Sequence, residues 1–211
     1  MAYDIEQQES IANMKAWFDA NANWIIGVLL VVALGMAGNW GWRWYQAKES
    51  NAASLLYDQF QKASFEKDTT KARESAAALT QQYPSSAYAA FAALSQARVN
   101  LEAGDSAAGK AQLQWVIDKS GDKELRSLAR VRLAGVLLDE KAYDQGLAVL
   151  QGDEPAALAA EFSDRRGDLL YAQGKIADAR AAYTKALEQA SAQNPLRTLI
   201  QSKLDALPAA G

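Results

Sequence analysis

The chain has 211 residues, half of them apolar, with 22 Lys and Arg against 25 Asp and Glu, a net charge of −3, and neither cysteine nor histidine. The missing cysteine excludes disulfides, thiol nucleophiles and thiolate metal sites, and the missing histidine removes the commonest general base and transition-metal ligand, so composition argues against an enzyme, a cofactor and a small-molecule substrate. Asp4, Glu6, Glu9 and Asp19 outweigh Lys15 in the first 23 residues, and the chain beyond Arg43 is nearly neutral, which leaves neither a basic stripe for nucleic acid nor a polybasic run for anionic lipid.

Residues 1–23 read as a short acidic tail. In it Ile11, Met14, Trp17 and Phe18 recur at near-helical spacing, which fits either a helix lying on a membrane surface or an ordered lead-in to a span. Residues 24–44, WIIGVLLVVALGMAGNWGWRW, follow, with no charge from Ala20 through Trp42. At about 1.5 Å per residue this stretch makes a helix roughly 30 Å long, the thickness of a bilayer's hydrocarbon core. Trp17 and Trp24 flank it on one side and Trp40, Trp42 and Trp44 on the other, where indole rings favour the headgroup boundary. A buried core helix would have to hide this whole uncharged stretch in a modest domain. A cleaved signal peptide would carry a positive leading segment and a small-residue cleavage site, where this chain has acids and the bulky run Trp40 to Tyr45. The expectation is one uncleaved transmembrane helix in the lipid bilayer. Along it Ala33, Ala37 and Gly41 recur every four residues, a candidate face for packing against another membrane helix.

Residues 45–211 are rich in Ala, Leu, Gln, Glu and Lys, with Gly and Pro only at intervals and no alternating run that would argue for a strand. The fold class is therefore all-α. The segment GDLLYAQGKIADARAAYTKALEQA reads as a helix, a turn at Gly174 and a second helix, with small and large residues where a tetratricopeptide (TPR) unit places them. The same frame recurs earlier, so that small residues step through Ala97, Ala134 and Gly167 in first helices and Gly109, Gly146 and Ala179 in second helices, with Tyr183 among the large ones. Small residues let a helix pair cross closely, and large ones fill the space between units. This predicts a TPR-like α-solenoid with units at about 88–120, 125–152 and 160–192, a degenerate first hairpin at 50–84, and a C-terminal capping helix at 195–207. A plain helical bundle with Ala-rich interfaces is the competing architecture.

Lys119 and Ser120 have the composition of a Ser–Lys dyad, but they sit in DKSGDKE, a polar turn that would leave the lysine solvated. Asp164, Arg165, Arg166 and Asp168 alternate in charge near a helix start and read as a structural network or exposed face, with a peptide contact as the alternative. The surface positions at which some TPR domains hold a Lys/Asn carboxylate clamp carry Leu94, Ser95 and Arg98, then Val131 and Gly135, then Asp164 and Asp168, so that clamp is absent. Recognition is expected through apolar and mixed-polar surface on the concave face.

The layout of acidic tail, single span ending in NWGWRWY, and TPR-like domain resembles the ancillary SecYEG translocon subunit family. SLLYDQF, ALSQARVNLEAGDSAAGKAQLQ and RGDLLYAQGKIADAR carry the likeness, which covers nearly the whole chain. The resemblance implies a non-catalytic accessory of the Sec translocon in the bacterial inner membrane. It further implies a cytoplasmic N-terminus, a periplasmic domain, and two partners, SecYEG and a membrane-anchored periplasmic chaperone that receives translocated proteins. A scaffold for another cell-envelope complex is the alternative. Local charge points the other way on orientation: Lys15 precedes the span, and Arg43, Lys48 and Lys62 follow it. Long domains cross largely regardless of charge, so the expected orientation follows the resemblance.

Overall fold

The computed structural model describes residues 2–152 and 154–208. The expected tail and domain therefore each include positions outside the described residues, namely Met1, Asp153 and 209–211. The chain divides into two compact units, Met1–Asn51 and Ala52–Gly211.

The first unit is made by helix α1, Ala2–Phe65, whose C-terminal residues enter the second unit. The first proline of the chain is Pro84, so no proline falls within α1. Within α1, Ala20–Gly41 is a 22-residue stretch of mean hydropathy 1.9 with none of it buried. Trp17, Trp24, Trp40 and Trp44 are all exposed beside it, as are Ile11 and Met14. The side chains of Phe18, Trp42 and Arg43 lie outside the described residues.

The second unit is helical, with no strand among its described residues. After the end of α1 come α2 (Thr69–Gln82), α3 (Ala87–Glu102), α4 (Ser106–Lys119), α5 (Lys123–Asp139), α6 (Tyr143–Val149), α7 (Ala159–Ala172), α8 (Ile176–Gln189) and α9 (Leu196–Asp205). The starts of α2, α3, α4 and α5 are capped by Asp68, Ser86, Asp105 and Asp122, whose side chains accept from amides of the first turn. The apolar core is a string of four clusters rather than one ball. They centre on Phe60 and Leu79, on Leu113 and Val116, on Leu150 and Phe162, and on Tyr183 and Ile200. Each helix hairpin thus buries its apolar face on the next, as a solenoid requires.

All four hairpins close through one turn geometry. Lys67, Gly104, Lys141 and Gly174 take positive φ of 58°, 81°, 60° and 76°. In each turn the following amide reaches back five residues: Asp68 to Ala63, Asp105 to Asn100, Ala142 to Leu137, and Lys175 to Leu170, at 2.8–2.9 Å. This left-handed residue with a long return bond ends a helix while satisfying its last carbonyls. The hairpin set aside as degenerate in sequence closes the same way. Its divergence is one of size: Phe60 stands in the frame position that Ala97 holds one unit later, and Ala72 stands in that of Gly109.

The small residues of the frame lie where helices approach most closely. A Cβ on Gly109 would sit 2.6 Å from the Leu101 side chain, one on Gly146 would sit 2.7 Å from Leu169, and one on Gly167 would run into the Tyr183 ring. Ala97, Ala134 and Ala179 are fully or almost fully buried. Gly146 differs from the other two in meeting Leu169 of the next hairpin. The second helix of that unit, α6, has only seven residues. Gly152 at φ +102° and Pro155 divert the chain into a short 3₁₀ turn at Ala156–Leu158 before α7 begins.

Two substitutions test this frame in opposite directions in one urea-unfolding series. Gly167→Leu should cost about 1–3 kcal/mol by forcing Tyr183 out of its seat. Lys141→Gly should add about 1 kcal/mol by relieving a left-handed non-glycine residue. A Gly167→Leu midpoint equal to that of the parent would show that the close contact is not there.

Candidate functional site

Ser120 is buried in the turn after α4, and its hydroxyl accepts from the Asp122 amide at 3.2 Å. Its carbonyl takes the Arg126 guanidinium at 2.6 Å. Lys119 beside it is exposed. This is a turn and helix-capping arrangement. No group of acids fit to hold a metal occurs among the described residues.

Asp164 and Asp168 of α7 form the densest polar network. Lys203 of α9 reaches both Asp164 oxygens at 2.8 and 2.9 Å and Asp168 Oδ1 at 2.7 Å. The Tyr183 hydroxyl donates to the same Asp168 oxygen at 2.8 Å, and the Lys203 ammonium lies 5.6 Å from the centre of the Tyr183 ring. Burial, then the Asp168 carboxylate, hold the Tyr183 phenol protonated far above its ordinary range. Burial also raises the Asp164 carboxyl above its ordinary 3.8, outweighing the opposing hydrogen bond from Lys203. Because Asp164 occupies the frame position of Leu94 and Val131, the terminal unit holds an acid where the inner ones hold an aliphatic side chain. That acid receives the lysine of the capping helix.

This location corrects the reading of Leu94, Val131 and Asp164 as surface positions: all three are buried. In this array they pack against neighbouring helices instead of facing a ligand. Ser95 and Gly135 are half-buried, and Arg98 is exposed.

The open surface of the first helices lies beside these positions. A groove of about 430 Å³ runs across α3, α5 and α7, with apolar walls at Leu94, Leu101 and Val136 and with Arg98, Arg132 and Arg165 contributed one from each helix. Arg98 lies 3.8 Å from Glu102, and Arg165 lies 3.3 Å from Asp168. Arg165 passes over Gly135, where an added Cβ would approach its guanidinium carbon to 3.3 Å. The arginines at hairpin ends serve the backbone instead. Arg130 holds the Val149 and Gln151 carbonyls, Arg166 the Leu150 carbonyl and Glu154, and Arg197 the Leu187 and Ala190 carbonyls. Sequence reasoning named Arg98 and Arg165 without recognising the groove and missed Arg132. The one-per-unit recurrence of Arg132 and Arg165, 33 residues apart, was the available signal.

The candidate membrane face of Ala33, Ala37 and Gly41 is exposed, and a Cβ on Gly41 would meet nothing within 4 Å. Of the TPR-frame residues Ala97, Gly109, Ala134, Gly146, Gly167, Ala179 and Tyr183, all at helix contacts, only Ala97 is among the residues lining the groove.

The terminal network makes its own prediction. Lys203→Met should cost about 3 kcal/mol at neutral pH, because it strands two enclosed carboxylates. The cost should shrink on acidification as the Asp164 carboxyl, raised by burial, takes up its proton. Asp164 has a folded pKa above its unfolded one, so its contribution is fully present below pH 3.8 and is lost as pH rises through the folded value. Asp164→Asn should therefore gain on the parent over that same rise. Chemical unfolding of the three proteins across pH checks both, and a Lys203→Met loss unchanged at low pH would contradict the assignment.

Comparison with known sequences bears on the whole chain. Residues 15–209 match the tetratricopeptide repeat-like domain family. A protein of Neisseria gonorrhoeae named ancillary SecYEG translocon subunit is 31% identical over 208 residues, covering 98% of this chain and all of that one. Proteins of the same name from Haemophilus influenzae and Escherichia coli K12 are 29% and 28% identical, covering 90% and 84% of this chain and 93% and 85% of their own lengths. A TPR-like solenoid and one apolar N-terminal helix, matched over 84–98% of the chain by such relatives, place it in the ancillary SecYEG translocon subunit family of tetratricopeptide repeat-like proteins.

Proposed function

We propose that this chain is a non-catalytic adaptor of the Sec translocon, held in the bacterial inner membrane by Ala20–Gly41 and binding other proteins through its solenoid. The observation that carries this reading is the full-length match to relatives named ancillary SecYEG translocon subunit, which spans the apolar helix and the repeats together. The finer reading is that the solenoid lies in the periplasm and passes translocated proteins to a membrane-anchored chaperone there. Its support is chemical. The first helices present an open groove that mixes apolar walls with guanidinium groups, a surface suited to extended or helical polypeptide and not to a small substrate. On this reading the exposed stripe of Ala33, Ala37 and Gly41 is where a translocon helix packs, since small residues permit close approach in lipid.

The test is affinity purification of the tagged full chain from gently solubilised membranes, combined with a C-terminal topology reporter. The reading predicts co-purification of SecYEG and a periplasmic chaperone, and a reporter on the periplasmic side. Recovery of cell-wall or secretin assemblies in place of SecYEG would replace the translocon role with an envelope scaffold. A cytoplasmic reporter would overturn the hand-over step.

A further inference from the structure

Arg132 is the anomaly of the first-helix face. Among the described residues it makes no hydrogen bond and no ion pair, and the charged group acting on it is another cation, Arg98 of the neighbouring helix. Although Arg132 is exposed, its partial burial and that repulsion both work against its charge, lowering its pKa from the ordinary value. In the same groove the Nε of Arg165 is enclosed and without a hydrogen-bond partner. These side chains contrast with Arg126, Arg166 and Arg197, which bond carbonyls at hairpin ends. A second groove of about 480 Å³ adjoins the first through Arg98 and adds Lys67 and Arg73 together with the carboxylate of Asp68. Glu102 and Asp168 pair Arg98 and Arg165, which leaves Arg132, exposed at the groove, as the guanidinium open to an anion that a ligand supplies.

We propose that this groove binds an extended acidic segment of a partner protein, whose carboxylates pair with Arg98, Arg132 and Arg165 while its aliphatic side chains lie on Leu101 and Val136. The planar guanidinium fork matches a carboxylate through two parallel hydrogen bonds. Apolar wall between the arginines suits a segment in which acidic and aliphatic residues alternate, because successive side chains of an extended chain point to opposite sides. A nucleic acid offers no such aliphatic contacts. The inference rests on the adaptor reading and names the chemistry of the polypeptide that the adaptor takes.

The experiment uses the full chain in zwitterionic lipid nanodiscs, with empty nanodiscs as background. The probe is a fluorescein-labelled peptide of alternating Glu and Leu, read by anisotropy beside its Gln–Leu counterpart. The Glu–Leu peptide should bind, should weaken as salt is raised, and should lose about tenfold or more in affinity with Arg132→Glu. Lys119→Glu, which makes the same charge change at an exposed helix end away from the groove, should leave the affinity unchanged. Arg132→Gln should weaken binding while leaving the thermal midpoint level or raised, since no bond in the fold is lost; this separates a ligand role from a structural one. Equal binding of the two peptides, no binding of the acidic one, or equal losses from Arg132→Glu and Lys119→Glu would overturn the proposal. Peptide binding is measured without translocon components, so its failure leaves the co-purification result standing, and the reverse also holds.

Discussion

The second unit depends on close approach between helices at positions where a side chain is missing or minimal. At Gly109 and Gly167 a Cβ would overlap Leu101 and Tyr183, so the paired helices sit nearer than ordinary residues allow. That spacing brings the large side chains of each hairpin to the next, which is why the core is four linked clusters. It also aligns α3, α5 and α7 as neighbours along one face, and the groove exists because those helices are parallel members of a stack.

An array of this kind has an exposed end that must be finished. Here α9 does so with Ile200, fully buried on α8, and with Lys203 bridging Asp164 and Asp168. The apolar contact contributes about 2 kcal/mol, whereas the charge network contributes mainly specificity, since burying ions costs nearly what their attraction returns. Placing Asp164 where Leu94 and Val131 stand in inner units marks the last hairpin as one that accepts a cap and not a further repeat.

The fold was largely legible in the sequence because repeats report themselves through recurrence of small residues, and because an uncharged tryptophan-flanked stretch has few other readings. Three features were not. The seven-residue α6 escaped because Tyr143, Gly146 and Leu150 keep the repeat pattern, although Gly152 and Pro155 end the helix early. The first hairpin looked degenerate because Phe60 and Ala72 are both larger than their counterparts Ala97 and Gly109, while Lys67 keeps the turn without a glycine. The site was legible least of all. Whether Leu94, Val131 and Asp164 face solvent or a neighbouring helix depends on how the units rotate against each other, and a sequence pattern with one period does not encode that rotation. Arg132 became informative only when its lack of an anion could be compared with arginines that cap carbonyls.

The account joins an exposed apolar helix that belongs in lipid to a solenoid whose first helices present its interaction surface. In-cell photocrosslinking tests that claim most directly, with a photoreactive residue placed at Val99 on α3 or at Gln114 on the opposite-facing α4, both exposed. Adducts to translocon-associated or exported polypeptides from position 99 and not from position 114 are the predicted result. Adducts from position 114 alone would contradict it and move the interaction surface to the second helices.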